Sequence, residues 1–321
     1  MPATGDVLTL LGAVMAPVFG LIGLGAILGR CGVLTPAGGR DLSQLLYYVA
    51  LPVQLVVLTA RVDVTERFDL RAVGAMLGAL VVGMVGAWWA SARLPAAERG
   101  CVLNGAARGN GAFVGLPVVD LAARALAPEQ HAALVGSYAV LLAPSIISFN
   151  VGAVIAFRLP HHGVSWSGVR GALAELPRSP LIIAVIIGST LGAWHPGLLS
   201  GTAVGNVLDL LAATAIPLAL LSAGQGLDFA HLREHPRTIG LTVLAKLVLV
   251  PALAWAIARG CGASPAAVFA VTILMASPAA IASVPMARML GGDAALMAAL
   301  VTATTVIAPL TMLGWLLVVG P

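Results

Sequence analysis

The chain has 321 residues, 60% hydrophobic and 9% charged, with a mean hydropathy of +1.01. A soluble domain carries about 25% charged residues, so this chain lacks the polar side chains to cover a surface in water, and its solvent is lipid. The net charge of +4 comes from scattered arginines with no basic run between aromatics, which argues against a nucleic-acid partner; Cys31, Cys101 and Cys261 lie too far apart for a zinc or disulfide pattern.

A membrane span needs about 20 mostly apolar residues, and ten segments meet or approach that length. The first, 7–28, is too long for the core of a signal peptide and follows Asp6 instead of a basic stretch. It is expected to remain as a span. Next come 42–60, 70–92 and 101–121, the last interrupted by "RGNGAFVGLPVVD" from Arg108 to Asp120. After the fifth, 132–157, a long hydrophilic stretch from Arg158 to Pro180 divides the chain. This predicts a first unit at 1–158, a cytoplasmic connecting loop at 159–179 and a second unit at 180–321. The second unit holds 180–194, 203–227, 239–258, 266–290 and 294–319. The segment 180–194 is the shortest, and without it nine spans remain.

Basic residues in short loops set orientation. One set of alternate loops holds ten (Arg30, Arg40, Arg93, Arg99, Arg158, Arg170, Arg178, Arg233, Arg237, Arg288) and the other five (Arg61, Arg67, Arg71, Arg124, Arg259). The richer set is expected in the cytoplasm, which places both termini outside. The two halves also resemble each other. "LLYYVALPVQL" from Leu45 parallels "LLAATAIPLAL" from Leu210, with Pro52 on Pro217, and "GNGAFVGLP" from Gly109 parallels "SPAAIASVP" from Ser277, with Pro117 on Pro285. Five spans per half make the second copy run inverted, and paired discontinuous segments point to a transporter's binding site. The expected fold is thus an all-α integral membrane protein: ten helices in two inverted five-helix repeats, with broken helices 4 and 9 crossing.

Lipid cannot satisfy freed backbone groups, so irregular backbone at membrane depth must line a cavity or be buried in protein. Gly109, Gly111, Gly115 and Pro117 make the fourth span a poor continuous helix, and Ser277, Pro278, Ser283 and Pro285 do the same in the ninth. Gly111 and Gly115 also fit GxxxG, a close helix contact. Asn110 sits inside the first break and is the side chain expected to touch substrate. Arg108 and Lys246 are the two basic residues inside spans; a charge there costs from about 2.5 kcal/mol upward and marks a functional candidate. Asp120 and Asp209, near span ends, are the obvious acidic partners. That scarcity of acids favours an anionic substrate, with a structural role on backbone carbonyls as the alternative. Gln54, Tyr138, Ser145, Ser148, Asn150, Gln225, Thr302, Thr304 and Thr305 complete the polar set, each more often a helix–helix hydrogen bond than a ligand contact. "HLREH" from His231 matches a zinc-peptidase pattern, but Pro236 follows at once and the stretch is a short loop. No catalytic or metal residues are expected.

Five stretches, taken in order, resemble the auxin efflux carrier family: "LSQLLYYVALPVQLV" (Leu42 to Val56), "RGNGAFVGLPVV" (Arg108 to Val119), "AIPLALLSAGQGL" (Ala215 to Leu227), "LAKLVLVPAL" (Leu244 to Leu253) and the run from Ala276 to Met312. The resemblance covers essentially the whole chain. It implies a scaffold of the first, second, sixth and seventh spans, often dimeric, and a transport domain in which the fourth and ninth cross. It implies further that Asn110 and Pro117 line the site from one side and Pro285 from the other. Lys246 matches a basic position common in the family's eighth span, whereas Arg108 is less typical. The expected activity is secondary transport of small organic anions, mono- or dicarboxylates such as malonate or malate, by an elevator-type movement. The alternatives are auxin-like aromatic weak acids, or a channel. No cofactor is expected, Na+ or H+ coupling is left open, and the expected setting is the lipid bilayer of a bacterial inner membrane with a homodimeric partner.

Overall fold

The computed structural model describes residues 4–61, 68–162, 179–195, 198–199 and 201–320. Among these the regular elements are helices. Helix α1 comprises Thr4–Thr9, a π turn at Leu10–Met15, and Ala16–Arg30; α2 comprises Pro36–Leu45, a π turn at Leu46–Ala50, and Leu51–Ala60. There follow α3 (Leu70–Ala90), α4 (Ala96–Ala107), α5 (a π turn at Gly111–Gly115, then Leu116–Leu126), α6 (His131–His162), α7 (Pro180–Trp194) and α8 (Ala203–Gln225). Helix α9 joins Pro236–Leu244, a π turn at Ala245–Leu249, and Val250–Gly260; α10 (Pro265–Ala276), α11 (Ser283–Leu290) and α12 (Ala294–Val319) complete the chain.

Local chemistry accounts for most boundaries. Thr35, Asp69, Thr202, Ser264 and Asp293 each precede a helix and accept a hydrogen bond from an N–H of its first turn, satisfying a donor that has no partner inside the helix. The four π turns share one cause. Each ends two residues before a proline (Pro17, Pro52, Pro117, Pro251), and the residue in front of that proline donates five residues back: Ala16 to Leu11, Leu51 to Leu46, Leu116 to Gly111, Val250 to Ala245. Proline removes one N–H and crowds the carbonyl four residues earlier; the wider turn accommodates both. In α9 the carbonyl thus freed, Leu247 O, accepts from the indole N–H of Trp315 at 2.9 Å.

Among the described residues seven helices are long and apolar enough to cross a membrane: those of α1, α2, α3, α6, α8, α9 and α12. The remaining apolar segments are shorter. Helix α7 has 15 residues and α10 has 12. The segments expected at 101–121 and 266–290 are each two helices, because the chain leaves helical geometry at 108–110 and at 277–282. The central loop expected at 159–179 falls largely outside the described residues, as do Arg67, Arg170 and Arg178 of the charge asymmetry.

The helices pack as two groups. In one, α8 lies along α1 and α2, and α7 along α2. These contacts bring backbone to backbone. A Cβ on Gly25 would strike the Leu221 carbonyl, and one on Gly224 the Ile22 carbonyl. Small residues are what such contacts need in lipid, where no hydrophobic force drives helices together. In the other group α4 packs on α6, α9 on α3 and α10, and α10 on α6 and α12. Helix α10 is buried at every position from Ala267 to Ala276. Exposed Leu24, Ile27, Val81, Trp89, Ile186, Leu210 and Leu310 form the apolar exterior that faces the acyl chains.

Candidate functional site

The two interruptions meet. Helix α4 ends at Ala107, and Arg108 (φ −81°, ψ 118°) and Asn110 (φ −91°, ψ 57°) carry the chain out of helical geometry before α5 begins. Helix α10 ends at Ala276, and Ser277 (φ −60°, ψ 144°) opens the second gap. Gly109 and Ala279 pair there as an antiparallel bridge, with the Asn110 N–H donating to Pro278 O at 2.7 Å. Four half-helices therefore converge on one short stretch of extended backbone. Helix starts present N–H groups and helix ends present carbonyls.

Side chains from three other helices secure this crossing. On α12, the Thr304 hydroxyl accepts from Ala279 N at 3.1 Å and donates to Leu300 O at 2.8 Å. On α6, the buried Tyr138 hydroxyl donates to Gly111 O at 2.9 Å. On α9, Lys246 Nζ donates to Met275 O at 2.8 Å, in the last turn of α10. Ser277 Oγ donates to Leu274 O at 2.6 Å. The glycines make room for these groups. A Cβ on Gly109 would sit 2.5 Å from Ser277 Oγ, 3.0 Å from Leu274 O and 3.2 Å from Lys246 Nζ; one on Gly115 would overlap the Tyr138 hydroxyl, and one on Gly111 the Leu274 side chain.

The structure brings Asn110, Gly111, Gly115, Lys246, Ser277, Pro278 and Tyr138 together at the crossing. Asn110 is 6% exposed, and its side-chain amide makes no hydrogen bond to the described residues. Arg108 is half-buried, with Nη1 2.8 Å from Met286 Sδ on α11. Pro117 is buried in α5 just after its π turn, whereas its sequence counterpart Pro285 is exposed on α11. Ser283 is buried at the start of α11 with Oγ unpartnered among the described residues, and Gln54 is buried in α2 with Oε1 likewise unpartnered. Asn150 is half-buried in α6.

The acids expected as partners for the buried cations are engaged elsewhere. Asp120 holds Arg124 at 2.9 Å and His131 at 2.8 Å, and Asp209 holds Arg61 at 2.7 Å. Near the start of α9, His231 Nδ1 lies 2.8 Å from Glu234, and His235 Nδ1 lies 3.8 Å from Glu98. The hydrogen bond and charge of Glu234 raise the His231 pKa above its ordinary 6.5. Sequence reading missed Asn104, buried one turn before the first gap with Nδ2 3.7 Å from Met297 Sδ and Oδ1 unpartnered among the described residues. A lone asparagine in an apolar segment was the available signal.

Comparison with known proteins points to membrane transport. The family model described as membrane transport protein matches residues 166–316. The chain is also similar to an uncharacterized transporter of Methanothermobacter thermautotrophicus, 27% identical over 269 residues that cover 80% of this chain and 81% of that protein.

Proposed function

With a multi-pass membrane transporter of the auxin efflux carrier family as the premise, we propose that the chain is a secondary active carrier of small organic anions, mono- or dicarboxylates such as malonate or malate. The observation that carries the reading is the antiparallel meeting of the two helix breaks at Gly109 and Ala279. The Asn110 amide, nearly buried and unbonded among the described residues, follows Gly109, whose Cβ position lies 3.2 Å from Lys246 Nζ. Half-helix N-termini favour anionic groups and freed carbonyls take cations, so a carboxylate has both dipole and side-chain donors within reach.

The packing supports an elevator-type movement. Helices α1, α2, α7 and α8 form the group taken as the stationary scaffold and dimer platform, and the group containing both breaks is taken to move against it. Correspondence of the α1–α8 contact with the α7–α2 contact favours two inverted repeats of five spans, with α4–α5 and α10–α11 as the crossing fourth and ninth. Under this reading the chain sits in a bacterial inner membrane with both termini outside.

Counterflow in proteoliposomes tests the proposal. Vesicles loaded with unlabelled malonate are expected to take up labelled malonate saturably. Losing a hydrogen bond to a charged group costs about 1.5–3 kcal/mol, so Asn110→Ala is expected to lower the initial rate about tenfold or more while still folding. Absence of saturable uptake for any dicarboxylate or aromatic acid, or an Asn110→Ala variant with wild-type uptake, overturns it. Uptake restricted to aromatic acids moves the substrate class to auxin-like weak acids.

A further inference from the structure

Lys246 is completely buried, and no carboxylate among the described residues answers its charge. A buried ion without compensation is costly, so its surroundings must supply negative potential in another form. They do so with oxygen dipoles. Nζ lies 2.8 Å from Met275 O, one residue before α10 ends, where carbonyls lack intrahelical donors and the helix dipole is negative. The Leu274 carbonyl and the Ser277 hydroxyl belong to the same helix end and border Gly109 together with Nζ: the Cβ position of that glycine lies 3.0, 2.5 and 3.2 Å from them in turn. Neutral oxygens at an unwound half-helix end are the chemistry that holds a coupling Na+ in carriers with broken helices.

We propose that the Lys246 ammonium is a tethered cation in this oxygen set, so that the carrier has its positive counter-charge built into α9 and binds no Na+ at the end of α10. The inference rests on reading the crossing as the transport site. Na+ affinity and anion affinity are therefore uncoupled at this position: the charge that favours a carboxylate near Asn110 is present before any ion arrives.

The test is thermal unfolding of the full-length chain in detergent, without organic acid. Sodium chloride is exchanged for choline chloride at constant ionic strength. The wild-type midpoint is expected to be unchanged by Na+. Lys246→Ala is expected to unfold at lower temperature and to recover roughly 2–4 °C with Na+ or methylammonium at about ten times its Kd. Lys246→Arg, which keeps the charge, is expected to stay insensitive to both. Saturable Na+ stabilisation of the wild type, or a folded Lys246→Ala that responds to neither cation, overturns the proposal. If Lys246→Ala does not fold, the wild-type and Lys246→Arg titrations decide it by the same criterion. Malonate added in a separate arm reports on the transport reading. Cation rescue without any organic-acid response leaves the tethered cation standing and removes the carrier assignment, and the reverse pattern does the opposite.

Discussion

Gly115→Ala isolates the contact that fixes the first break. Gly115 has helical backbone, φ −64° and ψ −47°, and in an open helix alanine there would stabilise by about 1 kcal/mol. Here the added Cβ would overlap the Tyr138 hydroxyl, which is buried and donates to Gly111 O at 2.9 Å. Moving the ring aside leaves the buried Tyr138 hydroxyl without its acceptor at about 1–3 kcal/mol, while Gly111 O keeps the Leu116 N–H, and strains a packed core by about 1–3 kcal/mol. Set against the propensity gain of about 1 kcal/mol, the balance is a destabilisation of roughly 1–5 kcal/mol. Tyr138→Phe alone forfeits the hydrogen bond at about 1–2 kcal/mol. In the double variant the obstructing oxygen is gone and the nearest ring atom, 3.1 Å from the Cβ position, has to yield by only a few tenths of an ångström. The double variant is thus expected to be more stable than Gly115→Ala alone, with a coupling energy of about 1 kcal/mol or more. Thermal unfolding of the four purified proteins measures it. Additive effects within about 0.5 kcal/mol, or a Gly115→Ala variant as stable as wild type, would refute the reasoning.

Other predictions follow the same logic. Thr304→Val is expected to orphan Ala279 N–H and destabilise by about 1–3 kcal/mol, while Thr304→Ser keeps the acceptor and the stability; unfolding temperatures separate the two. Trp315→Phe removes the donor to Leu247 O and is expected to lower stability by about 1 kcal/mol without changing anion uptake. Arg61→Ala breaks an ion pair whose side chains are 44% and 45% exposed, so the loss is expected below about 1 kcal/mol and smaller still in high salt. His231, with its pKa raised by Glu234, stabilises the fold fully below its unfolded value near 6.5 and loses that contribution as pH rises through the raised folded value. The stability difference between wild type and Glu234→Gln should therefore shrink on going from pH 6 to pH 8, and a constant difference would contradict the assignment.

Much of this arrangement was legible in the residues. The bounds of α7, Pro180 to Trp194, follow from the apolar run itself. The glycines and prolines around Asn110 and Pro278 located both interruptions, since few other signals break a helix in lipid. Their positions within the interruptions were harder. Pro117 suggested a gap near itself, yet its missing N–H and the carbonyl it crowds are accommodated by the π turn at Gly111–Gly115, and the gap falls at 108–110, before α5. Partners were not legible at all. Tyr138 and Gly111 are separated by 27 residues, and Lys246 and Met275 by 29, and each pair joins a side chain to a backbone carbonyl, a group every residue has. Composition could flag Lys246 as costly. Only the fold could assign its countercharge to a helix end instead of to Asp120 or Asp209.

The π turns before Pro17, Pro52, Pro117 and Pro251 carry a consequence for reading related chains. Each packs one extra residue into a turn, and one residue corresponds to about 100° of helix rotation. Beyond every such turn the lipid-facing and protein-facing stripes are offset in phase from those ahead of it, so a single apolar period cannot fit α1, α2 or α9 from end to end. A relative that lacks the proline can drop one residue at that point and keep both stripes in place. Single-residue gaps immediately ahead of these prolines are thus the length differences this architecture absorbs most readily.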